Sequence, residues 1–507
     1  FCLSRGLGDV YKRQVPDLPT IDTSTEQDVA GGGYNHWATA GFFGRLNYNY
    51  KEKYLLEVNG RYDGTSRFMK DQRWNFFPSF SLGWNVAREN FWKPLESVVN
   101  QFKLRGSWGE LGNQNTSNLY PFYEILPVKS NSGNWLVNGG KTNTADIPSL
   151  VSTLLTWERV RSFNVGFDFG AFSNRLTGSF DYFVRKTVDM VGPAPQLPLV
   201  LGIAPAIVNN ADMKSYGFEI ELSWRDRIGE VDYGVKFNLA DAQQKVVKYP
   251  NTTNAFNDWY AGKMSGEIWG YTSLGIAKTD EEMKEHLASL PNGGQNQLGN
   301  KWGAGDIMYA DINGDGKVDG GKGTLADPGD QRIIGNSTPR YNFGLVLDAS
   351  YKGFDVSIFF QGVGKRDYAP IVGTNGAVFW GAVNNIWQSM AMEEHFDYFR
   401  PEGHPMGANL NGYYPRPDFT SNKNHQVQTR YLQDASYIRL KNLQIGYTLP
   451  KQWINKLHIN RCRVYVSGDN LWTGTSLASM FDPETLAAGD WGSGKTCLLY
   501  TSPSPTR

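Results

Sequence analysis

A chain of 507 residues with 50 basic and 50 acidic side chains carries no net charge, so it has no electrostatic footprint for nucleic acid; its length admits two or three ordinary domains or one very large closed sheet. Aromatics at 14% favour strands. No run of 18 apolar residues occurs, which excludes a transmembrane helix and leaves a transmembrane barrel open.

Residues 1–14 and 495–507 share no pattern with the chain between them. Both look like translated adapter sequence and are set aside, leaving 15–494 to carry the fold. On that view both natural ends are missing, and the lack of a signal peptide is uninformative. Cys2 and Cys497 fall in the excluded segments, and a single remaining Cys462 argues against a disulfide framework.

The first strong pattern runs from Phe42 to Asp63. Leu46, Tyr48 and Tyr50 alternate with Arg45, Asn47 and Asn49, and after Lys51-Glu52 the alternation restarts with Leu56, Val58 and Tyr62 against Glu57, Asn59 and Arg61. Period two of this kind predicts a hairpin with one apolar and one polar face. The same pattern predicts strands at 75–86, 102–108, 163–169, 176–184, 218–224, 233–239, 341–349, 354–361, 437–448 and 462–468, about twelve in all. Glu89 to Asn100 is a candidate short amphipathic helix and Gly376 to His395 a candidate loop helix.

The connections alternate in length. Short ones fall at Lys51-Glu52, Ser173-Asn174, Arg225 to Gly229, Lys352-Gly353 and Pro450 to Ile459; long ones at Gly64 to Asn75, Glu110 to Val160, Thr187 to Lys214, Asp241 to Pro339 and Gly364 to Asp434. Because each strand reverses direction, all the long loops emerge at one end. That is the transmembrane barrel arrangement. Asn85 to Gln101 is the one short-side connection that is not tight. The polar face mixes signs, with Arg45, Glu57, Arg61, Lys103, Arg105, Asp168, Asp181, Glu219, Glu221 and Lys236. Such a face lines a wet lumen in a barrel, or meets water in a soluble sandwich whose aromatic faces meet each other.

Specific stretches then carry a resemblance: Gly44-Arg45-Leu46-Asn47-Tyr48, Arg61-Tyr62-Asp63-Gly64-Thr65-Ser66-Arg67-Phe68, Phe77-Pro78-Ser79, Leu104-Arg105-Gly106-Ser107-Trp108-Gly109 with Gly112-Asn113, and Tyr437-Ile438-Arg439-Leu440-Lys441-Asn442. In order and spacing the chain resembles the carboxy-terminal part of a SusC/RagA-type TonB-dependent outer-membrane transporter. The resemblance implies an all-β, antiparallel transmembrane barrel of about 22 strands, of which about twelve lie here, with long extracellular loops. It further implies a plug domain and TonB box upstream, TonB with its inner-membrane motor as energy source, and a SusD-like surface lipoprotein as lid. No covalent chemistry is implied.

The sharpest local motif is Asp311-Ile312-Asn313-Gly314-Asp315-Gly316-Lys317-Val318-Asp319. Oxygen side chains at Asp311, Asn313, Asp315 and Asp319, glycine at 316 and the carbonyl of Lys317 suit a calcium loop. The acid expected at the twelfth position is replaced by Lys322, and family loops of this type suggest that Asp330 closes the ring. A plain Asx/Gly turn is the alternative. Among loop aromatics, Trp259, Trp269, Trp302 and Trp380 are candidate contacts for an oligosaccharide or peptide ligand, against the alternative that they pack the loops together. The six histidines are scattered without metal spacing, and no nucleophile elbow or phosphate loop occurs. The leading expectation is TonB-dependent nutrient import through outer-membrane lipid. The competing one is a secreted soluble β-protein that binds or cleaves glycans with a structural calcium.

Overall fold

The computed structural model describes residues 35–116, 119–192, 200, 202–203, 205–370, 373–384, 392–418, 423–454 and 459–486. The terminal segments 1–14 and 495–507 lie outside the described residues. Twelve strands form one antiparallel sheet in chain order: β1 (Thr39–Tyr50), β2 (Tyr54–Thr65), β3 (Trp74–Asn85), β4 (Val99–Asn113), β5 (Glu158–Ala171), β6 (Leu176–Val191), β7 (Asn209–Ile228), β8 (Val231–Lys248), β9 (Arg340–Tyr351), β10 (Phe354–Lys365), β11 (Tyr437–Thr448) and β12 (Arg463–Thr475). The sheet is open, with β1 and β12 at its edges.

Two tight turns use positive φ, at Lys352-Gly353 with a glycine that takes it freely and at Lys51-Glu52 with residues that ordinarily avoid it. Lys51 and Glu52 both take positive φ (51 and 54), as do Lys352 and Gly353 (45 and 92), the twist that matches two right-twisted strands. The expected helix after β3 is instead two 3-10 turns, Val86–Arg88 and Asn90–Leu95; Pro94 lacks the N–H that a continuing helix would need. The expected loop helix is α2 (Gly373–Asn384), broken by a kink at Gly381, and His395 lies beyond it in the 3-10 turn Glu393–Phe396. β7 and β8 run to 20 and 18 residues, well past the 9–11 or so that a bilayer requires.

Register confirms the two faces. Tyr50, Tyr54, Trp84, Leu104, Phe167, Phe180, Ile220, Leu239 and Phe343 are cross-strand partners in succession from β1 to β9. This apolar row starts at the short-turn end of β1 and reaches β9 near its long-loop end, so the strands are inclined to the rims, as barrel geometry demands. Among the described residues no second sheet covers this face: Leu82 is 64% exposed and Val466 76%. A sandwich would have buried such side chains.

The packed core is elsewhere. Tyr271, Ile307, Tyr309, Val318, Phe379, Trp380, Tyr414, Tyr431 and Phe481 form one buried cluster drawn from the loops 249–339 and 366–436 and the segment after β12. A smaller one, Phe68, Phe77, Leu155 and Trp157, ties together the β2–β3 and β4–β5 connections on the same side.

Candidate functional site

The long loops gather at one rim above the polar face of the sheet. Small two-stranded ribbons stiffen the loops: Glu267–Gly270 pairs with Arg332–Asn336, and Ser273–Ile276 with Ile307–Tyr309. Helix α1 (Asp280–Ala288) is capped by the Thr279 hydroxyl, which accepts from the Glu282 N–H, with three acids in its first turn.

What locks the two largest loops together is a buried ion knot. Asp306 is fully buried, and its Oδ2 accepts from Lys423 Nζ (2.9 Å), Arg416 Nη2 (2.8 Å) and the Gly303 N–H (2.9 Å), while Oδ1 accepts from Asn424 Nδ2 (3.0 Å). Tyr309 donates to the Lys423 carbonyl (2.7 Å) and receives Gln428 Nε2 (3.1 Å). Arg366, also buried, reaches the carbonyls of Ser337, Pro483 and Leu486, and burial depresses its pKa. Arg439 and Lys441 of β11 hold Asp482 and Glu484, so the segment beyond β12 is fastened to the sheet through charge.

The acidic loop is wrapped as its residues suggest. Gly314 and Gly316 take positive φ (75 and 80), and the Asp311 carboxylate accepts from both their N–H groups (2.7 and 2.9 Å). Asp330 lies at the loop centre, accepting from the N–H groups of Ile312 (2.7 Å), Asn313 (3.3 Å) and Asp319 (2.8 Å). Burial raises its pKa against the backbone bonds, and Asp311 nearby raises it further. Lys317 Nζ sits on Asp319 at 2.6 Å and lies 3.8 Å from Asp315, placing an ammonium beside the carboxylates. Among the described residues no three Asp, Glu, His or Cys side chains converge as a ready metal cluster.

The four tryptophans are not drawn into one surface. Trp380 is 1% exposed, against the His425 ring at 4.3 Å and the Tyr431 ring at 4.7 Å, so it packs the loop core and offers no face to solvent. Trp269 stacks on Phe256 (4.6 Å), Trp259 stands edge-on to Tyr249, and Trp302 lies under Lys423 Nζ (5.3 Å); these three are half-buried.

On the polar face, Arg105 grips two acids at once: Nε and Nη2 donate to Asp168 (2.9 and 2.8 Å), Nη1 and Nη2 to Asp181 (3.0 and 2.9 Å). Gly166 lies between Arg105 and Asp181 in the register, and a Cβ there would come 2.4 Å from Asp181 Oδ1. A concavity of about 490 Å³ opens over this face, lined by Asn47, Glu57, Ser81, Lys103, Arg105 and Asn164. Glu219 falls in the same charged row, paired in register with Asp181.

The family described as TonB dependent receptor-like, beta-barrel, matches residues 4–471. The TonB-dependent receptor P3 of Formosa agariphila is 30% identical over 87% of this chain and 41% of its own length. The TonB-dependent receptor SusC of Bacteroides thetaiotaomicron is 24% identical over 81% of this chain and 38% of its own length. The chain thus spans less than half the length of these relatives. The RagAB peptide transporter has the same fold, with a TM-score of 0.67 at 22% identity over 88% of this chain and 45% of that one.

Proposed function

The chain belongs to the TonB-dependent receptor-like β-barrel family, of the SusC/RagA type, and is an outer-membrane protein; from that premise we propose that it serves the active import of a nutrient, an oligosaccharide or a peptide fragment. The observation that carries this is the division of the molecule. The sheet turns an uncovered apolar face outward and a charged face inward, while the loops have a core of their own at one rim. An apolar face without a protein partner suits lipid, a charged face suits a wet lumen, and a rigid loop assembly suits selective capture. Energy would come from TonB and its inner-membrane motor, and a SusD-like lipoprotein would close over the loops. The similar protein SusC is TonB-dependent by name, which supports the first partner, and the lipoprotein lid rests on the resemblance to the SusC/RagA type. In this mechanism the chain binds and releases without making or breaking covalent bonds.

Trp259, Trp269 and Trp302 remain the proposed aromatic ligand contacts. Each is half-buried, so a ligand would meet a ring edge or require a neighbour to move. A structural calcium in the Asp311–Asp330 loop belongs to the same proposal. Asp311, Asn313, Asp315 and Asp319, the Lys317 carbonyl and Asp330 are its donors, and Lys317 Nζ must swing away from Asp319 to admit the ion. A hard cation there would neutralise the crowded carboxylates and order the loop.

The test is to express the full-length gene beside its neighbouring lipoprotein gene and fractionate the membranes. A heat-modifiable outer-membrane band that co-purifies with the lipoprotein, and uptake abolished by loss of TonB, are expected. A buffer-soluble product without heat-modifiable migration overturns the proposal.

A further inference from the structure

The link between β3 and β4, a short-side connection that is not a tight turn, does not hang free of the sheet. Phe91 stands edge-on to Trp84 at 6.4 Å, and Trp92 lies flat on Phe102 at 5.2 Å with 5° between the planes. Trp84 belongs to the apolar row that crosses the sheet from β1 to β9, and Phe102 is paired with Phe169 on the same face. The segment is therefore folded against the outer, apolar side of the sheet.

It is pinned along its length. Glu89 accepts from Lys53 Nζ (2.9 Å), Tyr54 OH (2.8 Å) and Trp84 Nε1 (3.2 Å), Arg88 pairs with Glu52, and the Val98 carbonyl accepts from the Phe172 N–H of the neighbouring turn (2.7 Å). Its uncovered surface includes large apolar side chains, Phe91 at 63% exposed, Leu95 at 50% and Val98 at 46%, interleaved with exposed Arg88, Asn90, Lys93, Glu96 and Ser97. The apolar ones continue a belt of rings along the short-turn rim, in which Tyr50, Tyr54 and Trp84 stack in turn.

We propose that Val86–Val98 is a membrane foot: a segment seated in the leaflet at the short-turn rim, with phospholipid as its partner. Phe91, Leu95 and Val98 enter the upper acyl region and Lys93 meets the lipid phosphates, fixing the height of the sheet in the bilayer. Continuity with the lipid-facing rows selects lipid over a protein partner, and the apolar residues with a cation among them match an interfacial segment, which lies about 5–10 Å into the headgroup boundary. The inference rests on the outer-membrane placement of the sheet.

The test uses the full-length chain with its native cysteines replaced by Ser, in vesicles of phosphatidylethanolamine and phosphatidylglycerol, carrying an environment-sensitive fluorophore on Leu95→Cys or Val165→Cys. The label at Leu95→Cys is expected to lose most of its emission to lipids brominated near the headgroup end of their chains. That at Val165→Cys, in the middle of β5, should lose most to lipids brominated near the methyl end. Quenching at Val165→Cys alone overturns the foot and leaves the spanning sheet standing. Shielding of Leu95→Cys from both lipid bromine and aqueous iodide means that a protein covers it, which also overturns the foot. Lipid quenching at neither position overturns the membrane placement itself. Heat-modifiable migration verifies that each variant has assembled, and Val98→Cys substitutes if Leu95→Cys does not.

Discussion

The sheet and the loop assembly solve opposite problems with similar residues. In the sheet, Phe, Tyr, Leu and Val stand outward in register, uncovered by protein, and the charges turn inward. In the loops the order is that of a soluble domain: Phe379, Trp380, Tyr414 and Tyr431 are inside, and a buried ion knot is enclosed with them. The difference teaches that burial is a relation between side chain and solvent. A phenylalanine exposed on the sheet is satisfied by lipid, and one exposed on the loops would be a liability.

The largest effect is expected inside the loops. Asp306→Ala takes the 2.9 Å carboxylate from buried Lys423 and leaves it only the more distant Asp418 at 3.7 Å, a loss of about 3–5 kcal/mol of local stability. Limited proteolysis and hydrogen exchange should show the 249–339 and 366–436 loops opening while the heat-modifiable barrel band persists. If the barrel is lost with the loops, the two regions are not separate bodies.

The converse experiment charges the lipid face. Val165→Arg places a cation at mid-sheet on an exposed position that a soluble protein would tolerate, and in a bilayer it should cost about 2–4 kcal/mol. Urea titration of the protein in vesicles measures it, and a negligible cost would mean that this face meets water. Gly166→Val, one residue away on the polar face, drives a Cβ against Asp181 and Phe180 and should cost about 1–3 kcal/mol by overpacking. Here the loops should stay as protease-resistant as before.

Two smaller effects sharpen the comparison at the rims. With calcium in the acidic loop, replacing Asp311 and Asp315 together by Asn should abolish a calcium-dependent protection of the 249–339 loop and leave the strands intact. Equal cleavage with and without calcium would mean that the Lys317 ammonium alone balances the acids. At the other rim, hydrogen bonds from Lys53, Tyr54 and Trp84 hold the Glu89 carboxyl at about 2, below its ordinary 4.5. An acid with a depressed folded pKa stabilises fully above its unfolded value, and that contribution is lost as pH falls from 4.5 through about 2. Glu89→Gln should therefore flatten the acid limb of the thermal stability profile below about pH 4 and change little at neutral pH.

Much of the sheet is legible in the sequence because alternation is local: each residue declares its face beside its neighbours, and all twelve predicted strands are present. Strand ends are less so. β7 begins at Asn209, where Asn, Asp, Lys and Ser extend the strand past the lipid and alternation is no longer demanded. The turns at Lys51-Glu52 and Lys352-Gly353 are also readable, from the break in alternation at both and from the glycine at the second. The amphipathic spacing after β3 predicts a helix, but Pro94 and the pull of Trp84 and Phe102 settle the segment as 3-10 turns against the sheet.

Sequence by itself thus determined the strand count, the two faces and the parity of the loops, because period-two alternation and turn residues act over a few bonds. Tertiary structure alone decided which aromatics are inside. Nothing local distinguishes Trp380, buried in the loop core, from a tryptophan free to meet a ligand. Nor does anything local join Asp306 to Lys423, 117 residues away, since a buried pair is chosen by the packing of two loops around it. Register likewise brought Arg105 to Asp168 and Asp181 across a glycine, because only paired strands set side chains of distant segments in one row.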